Sequence, residues 1–199
     1  KDAELSARKA IYLNPYLEIA HSNLGAILSD LGKLNEAELS VRRAIDLNPK
    51  SAEANFHLAQ ILIKAKKFKE GWIQYEWRWK AKKQINSIGE KLNSSKPEWS
   101  LKNRGRVLIW PEQGIGDEIL LASLIPEIIK KVDHLILKVD KRLIPLYQRS
   151  FDKKITFVDK QDFVDVEEYD FQIPIVSLAR LFRTTKESFN SGTKKYLNA

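Results

Sequence analysis

The sequence contains no cysteine and only three histidines, and both scarcities restrict its chemistry. Without cysteine, disulfide bonds and thiolate metal sites are excluded, which agrees with a reducing compartment, and we expect a cytoplasmic location. The histidines lie at scattered positions and do not form the spacing of a metal-binding motif. We therefore expect no bound metal.

Long apolar runs are also missing. No run approaches the roughly 20 residues that a helix needs to cross a bilayer, and the N-terminus lacks the charged-then-apolar pattern of a signal peptide. We therefore expect no membrane span.

The chain begins with Lys1 rather than Met, and its internal pattern begins part-way through a unit. From this we expect a fragment whose natural chain continues upstream.

A basic excess is present, with a formal net charge of +8. Part of it is concentrated in one stretch, which fits either a solvated helix face or a patch for an anionic partner such as lipid or nucleic acid. The solvated face is favoured, because no nucleic-acid recognition motif accompanies the charge. The basic residues of this stretch are Lys64, Lys66, Lys67, Lys69, Arg78, Lys80, Lys82 and Lys83.

The first part of the chain repeats itself. The segment Ala3–Pro15 aligns with Ala37–Pro49 at an offset of 34 residues, the difference between Ala37 and Ala3. The spacing fits a pair of helices in which small residues allow close approach and a proline ends the second helix. A repeat of this length predicts stacked helix pairs.

The repeat resembles the tetratricopeptide repeat family, whose pattern is matched at Leu24, Gly25, Leu28, Ala37, Ala44 and Pro49. Residues 1–83 would hold one partial, one complete and one degenerate repeat. The resemblance implies a groove, lined by the first helix of each pair, that binds a protein or peptide. Asn23 matches a groove asparagine of the repeats in protein O-GlcNAc transferases, and His57 replaces it one repeat later. The alternative for Asn23 is a solvated polar position.

Residues 84–103 lose periodicity and collect Ser, Asn, Gly and Pro, so they predict a linker in which Trp99 is a packed anchor. From residue 104 to residue 199, short apolar runs alternate with helical segments. That alternation favours a parallel sheet with helices on both faces. The predicted fold class is therefore an α-helical tetratricopeptide repeat array followed by a Rossmann-like parallel α/β half-domain.

The loop after the first predicted strand, in "RVLIWPEQGIGDEILL", lies where open α/β sheets bind ligands. It lacks the third small residue of a dinucleotide fingerprint, because Ile119 follows Gly114 and Gly116 at that place. No "GK[ST]" of a P-loop follows either. Carboxylates at the start of the helix also compete with a phosphate for its free N–H groups. The loop is therefore no familiar phosphate cradle.

An acid remains at the entry to the helix, and two interpretations of Asp117 stay open. It is either an N-cap that accepts from the first turn of the helix, or a carboxylate that accepts a proton from a reacting hydroxyl group. Spacing alone does not decide between them.

The stretch "KPEWSLKNRGRVLIWPEQGIGDEILLASLIPEI", with "GWIQYEWRW" and "YDFQIPIVSLARLF", resembles bacterial proteins in which these repeats precede a heptosyltransferase-like glycosyltransferase domain of the two-Rossmann-domain type. The resemblance implies that Asp117 is the catalytic base. It also implies that Gly114, Gly116 and Glu118 bind the acceptor, a glycan or a protein. The intact enzyme would use a nucleotide-sugar donor and no metal.

The chain departs from that family in length. The resembling enzymes bind the donor mainly with a second Rossmann-like domain, for which the residues after the linker leave no room. We therefore expect residues 104–199 to be the N-terminal half of the domain, without bound donor and inactive alone. The alternative is a non-catalytic scaffold for protein interaction, with nucleic-acid binding as a weaker third hypothesis.

Overall fold

The computed structural model describes residues 2–81, 89–151, 154–190 and 195–198. The chain divides into two compact units, Lys1–Asn86 and Ser87–Ala199, which we call the repeat unit and the sheet unit. The boundary lies within the stretch that the sequence assigns to a linker. Each unit has a hydrophobic core of its own and is described by itself.

The repeat unit consists of helices joined by short turns. Its helices are α1 (Asp2–Leu13), α2 (Glu18–Asp30), α3 (Leu34–Leu47), α4 (Ala52–Lys64) and α5 (Phe68–Tyr75), and a 3-10 turn at Glu76–Trp79 follows α5. Helices α2 and α4 are first helices of their pairs, and α1, α3 and α5 are second helices. The predicted helical repeat region is confirmed.

The turns from α2 to α3 and from α4 to α5 have the same geometry, 34 residues apart. Gly32 has φ +76°, and Lys66, at the equivalent position, has φ 61°. In both turns the next residue donates its N–H back into the preceding helix, from Lys33 to the Leu28 oxygen at 2.9 Å and from Lys67 to the Leu62 oxygen at 2.8 Å. A left-handed residue at this place ends a helix and reverses the chain.

The core of the repeat unit lies between first and second helices. Helix α2 approaches α3 closely at Gly25, where a Cβ would lie 2.1 Å from Val41 Cγ2 and 3.0 Å from the Ala37 oxygen. Only glycine leaves room for this contact. The buried members of the core are Leu24, Leu28, Ala37, Val41, Ala44, Ala54, Leu58, Ile61 and Leu62.

The sheet unit contains four parallel strands in the order β3-β2-β1-β4. The strands are β1 (Arg106–Trp110), β2 (His134–Val139), β3 (Ile155–Asp159) and β4 (Phe171–Pro174), with helices α6 (Ile115–Leu121), α7 (Ile125–Ile128), α8 (Ile144–Ser150) and α9 (Leu178–Phe182). This arrangement confirms the Rossmann-like parallel α/β fold class.

The segment after β1 is two short helices rather than one long helix. A 3-10 turn at Ala122–Leu124 separates α6 from α7, and Pro126 lies in the first turn of α7. The helix breaks just before Pro126 because proline has no N–H to donate and fits the first turn of a new helix.

Part of the predicted linker packs on the sheet. Trp99 is 1% exposed, and its N–H donates to the Gln172 oxygen of β4 at 2.9 Å. Its indole Nε1 donates to the Asn103 oxygen at 3.0 Å, and its ring stacks on Phe182 with a centroid separation of 6.3 Å. Trp99 therefore anchors the segment that leads into β1.

Among the described residues, no helix combines the length and apolar character needed to cross a membrane.

Candidate functional site

The order of the strands creates a switch point at the carboxyl edge of the sheet. From β1 the chain continues to β2 and β3 on one side of β1, and β4 then pairs on the other side. The carboxyl ends of β1 and β4 are therefore neighbours at this point, which is the usual ligand position in open α/β sheets. Gly114 ends the loop after β1, and Gly116, Asp117 and Glu118 lie at the start of α6, so four of the predicted site residues lie together.

Asp117 is not the N-cap of α6. The helix is capped by Gly114, so Asp117 is its third residue, and the Asp117 N–H donates to the Gly114 oxygen at 3.0 Å. Its half-buried carboxylate has no hydrogen-bond or ion-pair partner among residues 2–81, 89–151, 154–190 and 195–198. The cap interpretation is therefore wrong, and the Asp117 carboxylate stays unbonded within the described part of the chain.

The two glycines leave the surface beside Asp117 open. A Cβ on Gly116 would meet nothing within 4 Å, and a Cβ on Gly114 would lie 3.9 Å from Asp117 Oδ2. Neither glycine has a positive φ, so the backbone conformation does not demand glycine at either place. The space is available to a molecule that approaches Asp117.

Glu118 has a different environment from its neighbour. Its side chain is 1% exposed, and its Oε2 accepts from the Asp140 N–H at 2.7 Å. The Lys160 ammonium lies 3.6 Å from Oε1. Burial raises the pKa of Glu118 above its ordinary value. The carboxylate that the resemblance assigns to acceptor binding therefore faces the interior and does not reach solvent.

Glu118 belongs to an ionic network that joins the carboxyl ends of three strands. Asp140 directly follows β2 and Lys160 directly follows β3, and their side chains pair at 3.0 Å. Arg142 also binds Asp140, with Nε 2.8 Å from Oδ1. Hydrogen bonds from Arg142 and Lys160 hold the pKa of Asp140 well below its usual range.

The Tyr147 hydroxyl donates to the Glu118 backbone oxygen at 3.0 Å, so the first turn of α6 is fixed from several sides. The sequence carried a signal for this network. Charged residues that directly follow two neighbouring parallel strands must meet at one edge.

A cavity of about 400 Å³ lies at the opposite edge of the sheet unit. It is bordered by residues that precede or begin β1, β2 and β3, so it opens at the amino ends of the strands and away from Asp117. Its lining residues are Arg104, Ile129, Lys130, Val132, Asp133, His134, Leu135 and Lys154. In the described part of the chain, no group of three His, Asp or Glu side chains is placed to hold a metal ion.

In the repeat unit, Asn23 of α2 and His57 of α4 occupy equivalent positions 34 residues apart. Asn23 is exposed, whereas His57 is half-buried and its Nδ1 lies 3.0 Å from the Ser22 hydroxyl. Burial lowers the pKa of His57 below its ordinary value. A pocket of about 210 Å³ between the two first helices is lined by Ala26, Ser29, Asp30, His57, Gln60, Ile61 and Lys64.

The described members of the basic stretch have different environments. Arg78 is fully buried, with its guanidinium 4.5 Å from the centre of the Trp79 ring. Lys67 pairs with Glu38 at 2.8 Å. Lys64 donates to the Ser29 hydroxyl at 3.1 Å. Two further members, Lys82 and Lys83, lie outside the described residues.

Three comparisons with known proteins concern the family, a sequence relative and a solved structure. The family model for the tetratricopeptide repeat matches residues 20–51. Protein FlbA of Caulobacter vibrioides is 36% identical over 89 residues, which are 42% of this chain and 14% of that protein. A solved structure of a mutant O-GlcNAc transferase from Thermobaculum terrenum aligns with a TM-score of 0.36 at 14% identity, covering 92% of this chain and 30% of that chain.

The chain therefore carries a tetratricopeptide repeat. It spans only a small part of both proteins, so their activities do not transfer to it by similarity.

Proposed function

We propose that the sheet unit is the acceptor side of a glycosyltransferase and that Asp117 is its general base. Asp117 would take the proton of an acceptor hydroxyl as that oxygen attacks the anomeric carbon of a nucleotide-sugar. The bond from the anomeric carbon to the nucleotide phosphate breaks, and the nucleotide leaves with the bonding electron pair. The acceptor would be a glycan or a protein.

The contrast between neighbouring carboxylates supports this role. Glu118 and Asp140 are held by backbone N–H groups or cations, whereas the half-buried Asp117, close to the switch point, has no bonded partner among the described residues. A general base must be within hydrogen-bond reach of the proton that it abstracts. Asp117 meets that requirement for a molecule seated over Gly114 and Gly116.

The test is Asp117→Asn in the whole protein that carries this chain. We expect turnover to fall by about 100-fold to 10,000-fold, the usual contribution of a general base, with circular dichroism unchanged. Asp133→Asn at the opposite edge is the matched control. Rates equal to the wild type in Asp117→Asn would contradict the assignment.

A donor titration examines the reaction class. By the stated resemblance, the donor binds mainly to a second Rossmann-like domain. UDP-, GDP- and ADP-sugars are therefore titrated calorimetrically into this chain and into the whole protein. Binding to the whole protein alone supports the proposal, and binding to neither favours a scaffold.

The repeats support a second candidate, a module for protein interaction. Tetratricopeptide arrays bind partners by stacking their helix pairs into a continuous surface, and Asn23 is exposed on a first helix. Under this proposal, Asn23→Ala weakens binding of the protein partner while Asp117→Asn does not. Equal affinity of Asn23→Ala and wild type for the partner would remove Asn23 from the interface.

A further inference from the structure

Two clusters of ion pairs in the repeat unit are built alike. The first ion cluster consists of Glu4, Arg8, Lys33 and Glu36, and the second ion cluster consists of Glu38, Arg42, Lys67 and Glu70. Each member of the second cluster stands 34 residues after its counterpart in the first. A whole constellation of four charged residues therefore recurs with the repeat.

Each cluster joins two consecutive second helices. In the second cluster, Arg42 Nη2 lies 2.9 Å from Glu38 on its own helix α3 and 2.6 Å from Glu70 on α5. Lys67, the residue that caps α5, reaches back to Glu38 at 2.8 Å. Because one guanidinium holds a carboxylate from each helix, the pairing fixes the two helices relative to each other.

The first cluster has the same connections between α1 and α3. Arg8 Nη2 lies 2.8 Å from Glu4 and 3.3 Å from Glu36, and Lys33 lies 3.5 Å from Glu4. The two contacts between the helices are longer than their counterparts in the second cluster, whereas the contact within α1 is slightly shorter than the one within α3. The first cluster therefore joins its two helices less closely than the second.

Isolated surface ion pairs contribute little, because water and salt screen them. Here the central glutamate is shielded in both clusters, with side-chain exposures of 17% for Glu4 and 11% for Glu38. Burial acts to raise the pKa of Glu38, but hydrogen bonds from Lys67 and Arg42 outweigh it, so its pKa lies below the ordinary value. Networks around a shielded group are coupled more strongly than single exposed pairs.

The series stops at α5. The residues 34 positions after Glu38 and Arg42 are Trp72 and Glu76, which do not supply the glutamate and arginine of a further cluster. Helix α5 therefore receives a cluster from α3 but carries an aromatic residue where the next one would start. The α1 end of the repeat unit therefore carries a glutamate and an arginine at these positions, whereas the α5 end carries a tryptophan and a glutamate.

We propose that the two ion clusters hold consecutive repeats at a fixed angle, so that the surface formed by the first helices changes shape with ionic strength. This role is independent of the chemistry at Asp117. At about 1 M salt the screening length falls to about 3 Å, which weakens the half-exposed arginine and lysine contacts and leaves the apolar core intact.

The chain contains no cysteine, so spin labels attach only at cysteines that are introduced for the test. Leu5 and Leu39 are equivalent, uncharged and exposed by 67% and 71%, so Leu5→Cys with Leu39→Cys places two spin labels across the first cluster. Leu39→Cys with Ile73→Cys does the same across the second. Pulsed electron spin resonance then measures each label distance at about 0.01 M and about 1 M salt.

We expect each distance distribution to broaden and shift as salt rises, and Arg8→Met or Arg42→Met to cause the same change at low salt. The matched controls are the next residues, Lys9→Met and Arg43→Met, which should follow the unsubstituted labelled protein. Helical circular dichroism confirms folding. Arg8→Lys, which keeps the charge but bonds one carboxylate at a time, should give an intermediate distribution.

Distributions of the arginine variants that superimpose on the unsubstituted labelled protein at both salt concentrations would overturn the proposal. A salt response that is the same in Arg8→Met as in Lys9→Met would also overturn it.

Discussion

The repeat unit and the sheet unit differ in the sequence separation of side chains that bond between elements, which stays near one repeat length in the repeat unit and varies widely in the sheet unit, with values that include 22 and 64 residues. In the repeat unit, Ser22 and His57 are 35 residues apart and Arg42 and Glu70 are 28 apart, close to the repeat length of 34. In the sheet unit, Trp110 pairs with Gln172, 62 residues later, and Arg106 pairs with Asp170, 64 residues later.

The difference shows which contacts of each unit can be predicted from the sequence. In a repeat, every contact between neighbours recurs, so aligning the chain with itself gives the contact as well as the period. In the sheet unit, a contact depends on which strand lies next to which, and strand order is a property of the whole unit. The following predictions test this contrast, beginning with the largest expected effect.

Trp99→Ala should destabilise the sheet unit by about 3 to 5 kcal/mol, the cost of deleting a large buried aromatic side chain. The change removes the stack on Phe182 and the bond to the Asn103 oxygen. Urea unfolding followed by circular dichroism measures it. Phe163→Ala, at a side chain 84% exposed, is the control and should change stability by less than about 0.5 kcal/mol. If Trp99→Ala changed stability as little as Phe163→Ala does, Trp99 would not anchor its segment to the sheet, and the linker interpretation would hold for that segment.

Gly25→Ala should destabilise the repeat unit by about 1 to 3 kcal/mol through overpacking. The added Cβ would lie 2.1 Å from Val41 Cγ2. Val41→Ala alone creates a cavity, but in the double variant it gives the new methyl group room. The double variant should therefore lose less stability than the sum of the two single changes. Additive losses in thermal unfolding would mean that the two sites do not contact each other.

Lys66→Gly should stabilise the repeat unit by about 0.5 to 1 kcal/mol, because Lys66 has a positive φ that a side chain disfavours. The reciprocal change Gly32→Ala at the equivalent turn should destabilise by a similar amount, since no atom lies within 4 Å of its added Cβ and only the backbone responds. Chemical denaturation compares the two. Changes of the same sign would show that the turns are not equivalent.

The smallest expected effect is a pH dependence from His57. Its pKa is lowered in the folded state, mainly by burial, although Glu53 and Asp30 act to raise it. The unfolded state then binds more protons, so the stability contributed by neutral His57 is present above about pH 6.5 and is lost as pH falls below that value. In His57→Gln, the slope of stability against pH between about 5 and 7 should be shallower. Unchanged slopes would contradict the burial effect.

The sequence predicts some features of the segment that holds Gly114, Gly116, Asp117 and Glu118, and it does not predict others. The glycines, the acid and their position after the first strand follow from composition and spacing. The sequence does not separate the roles of Asp117 and Glu118, because both are acids at the start of one helix. Successive helical side chains are turned by about 100°, so Asp117 stays half-buried whereas Glu118 faces the interior and lies 3.6 Å from Lys160.

By itself, the sequence determines the period of 34 residues, the helix pairs and the alternation of strands and helices, because these depend on local propensity and hydrophobic pattern. Only the tertiary structure decides the strand order β3-β2-β1-β4, the packing of Trp99 on β4 and the burial of Glu118. The physical reason is that these features depend on contacts between segments far apart in the chain, whose pairing no local pattern specifies.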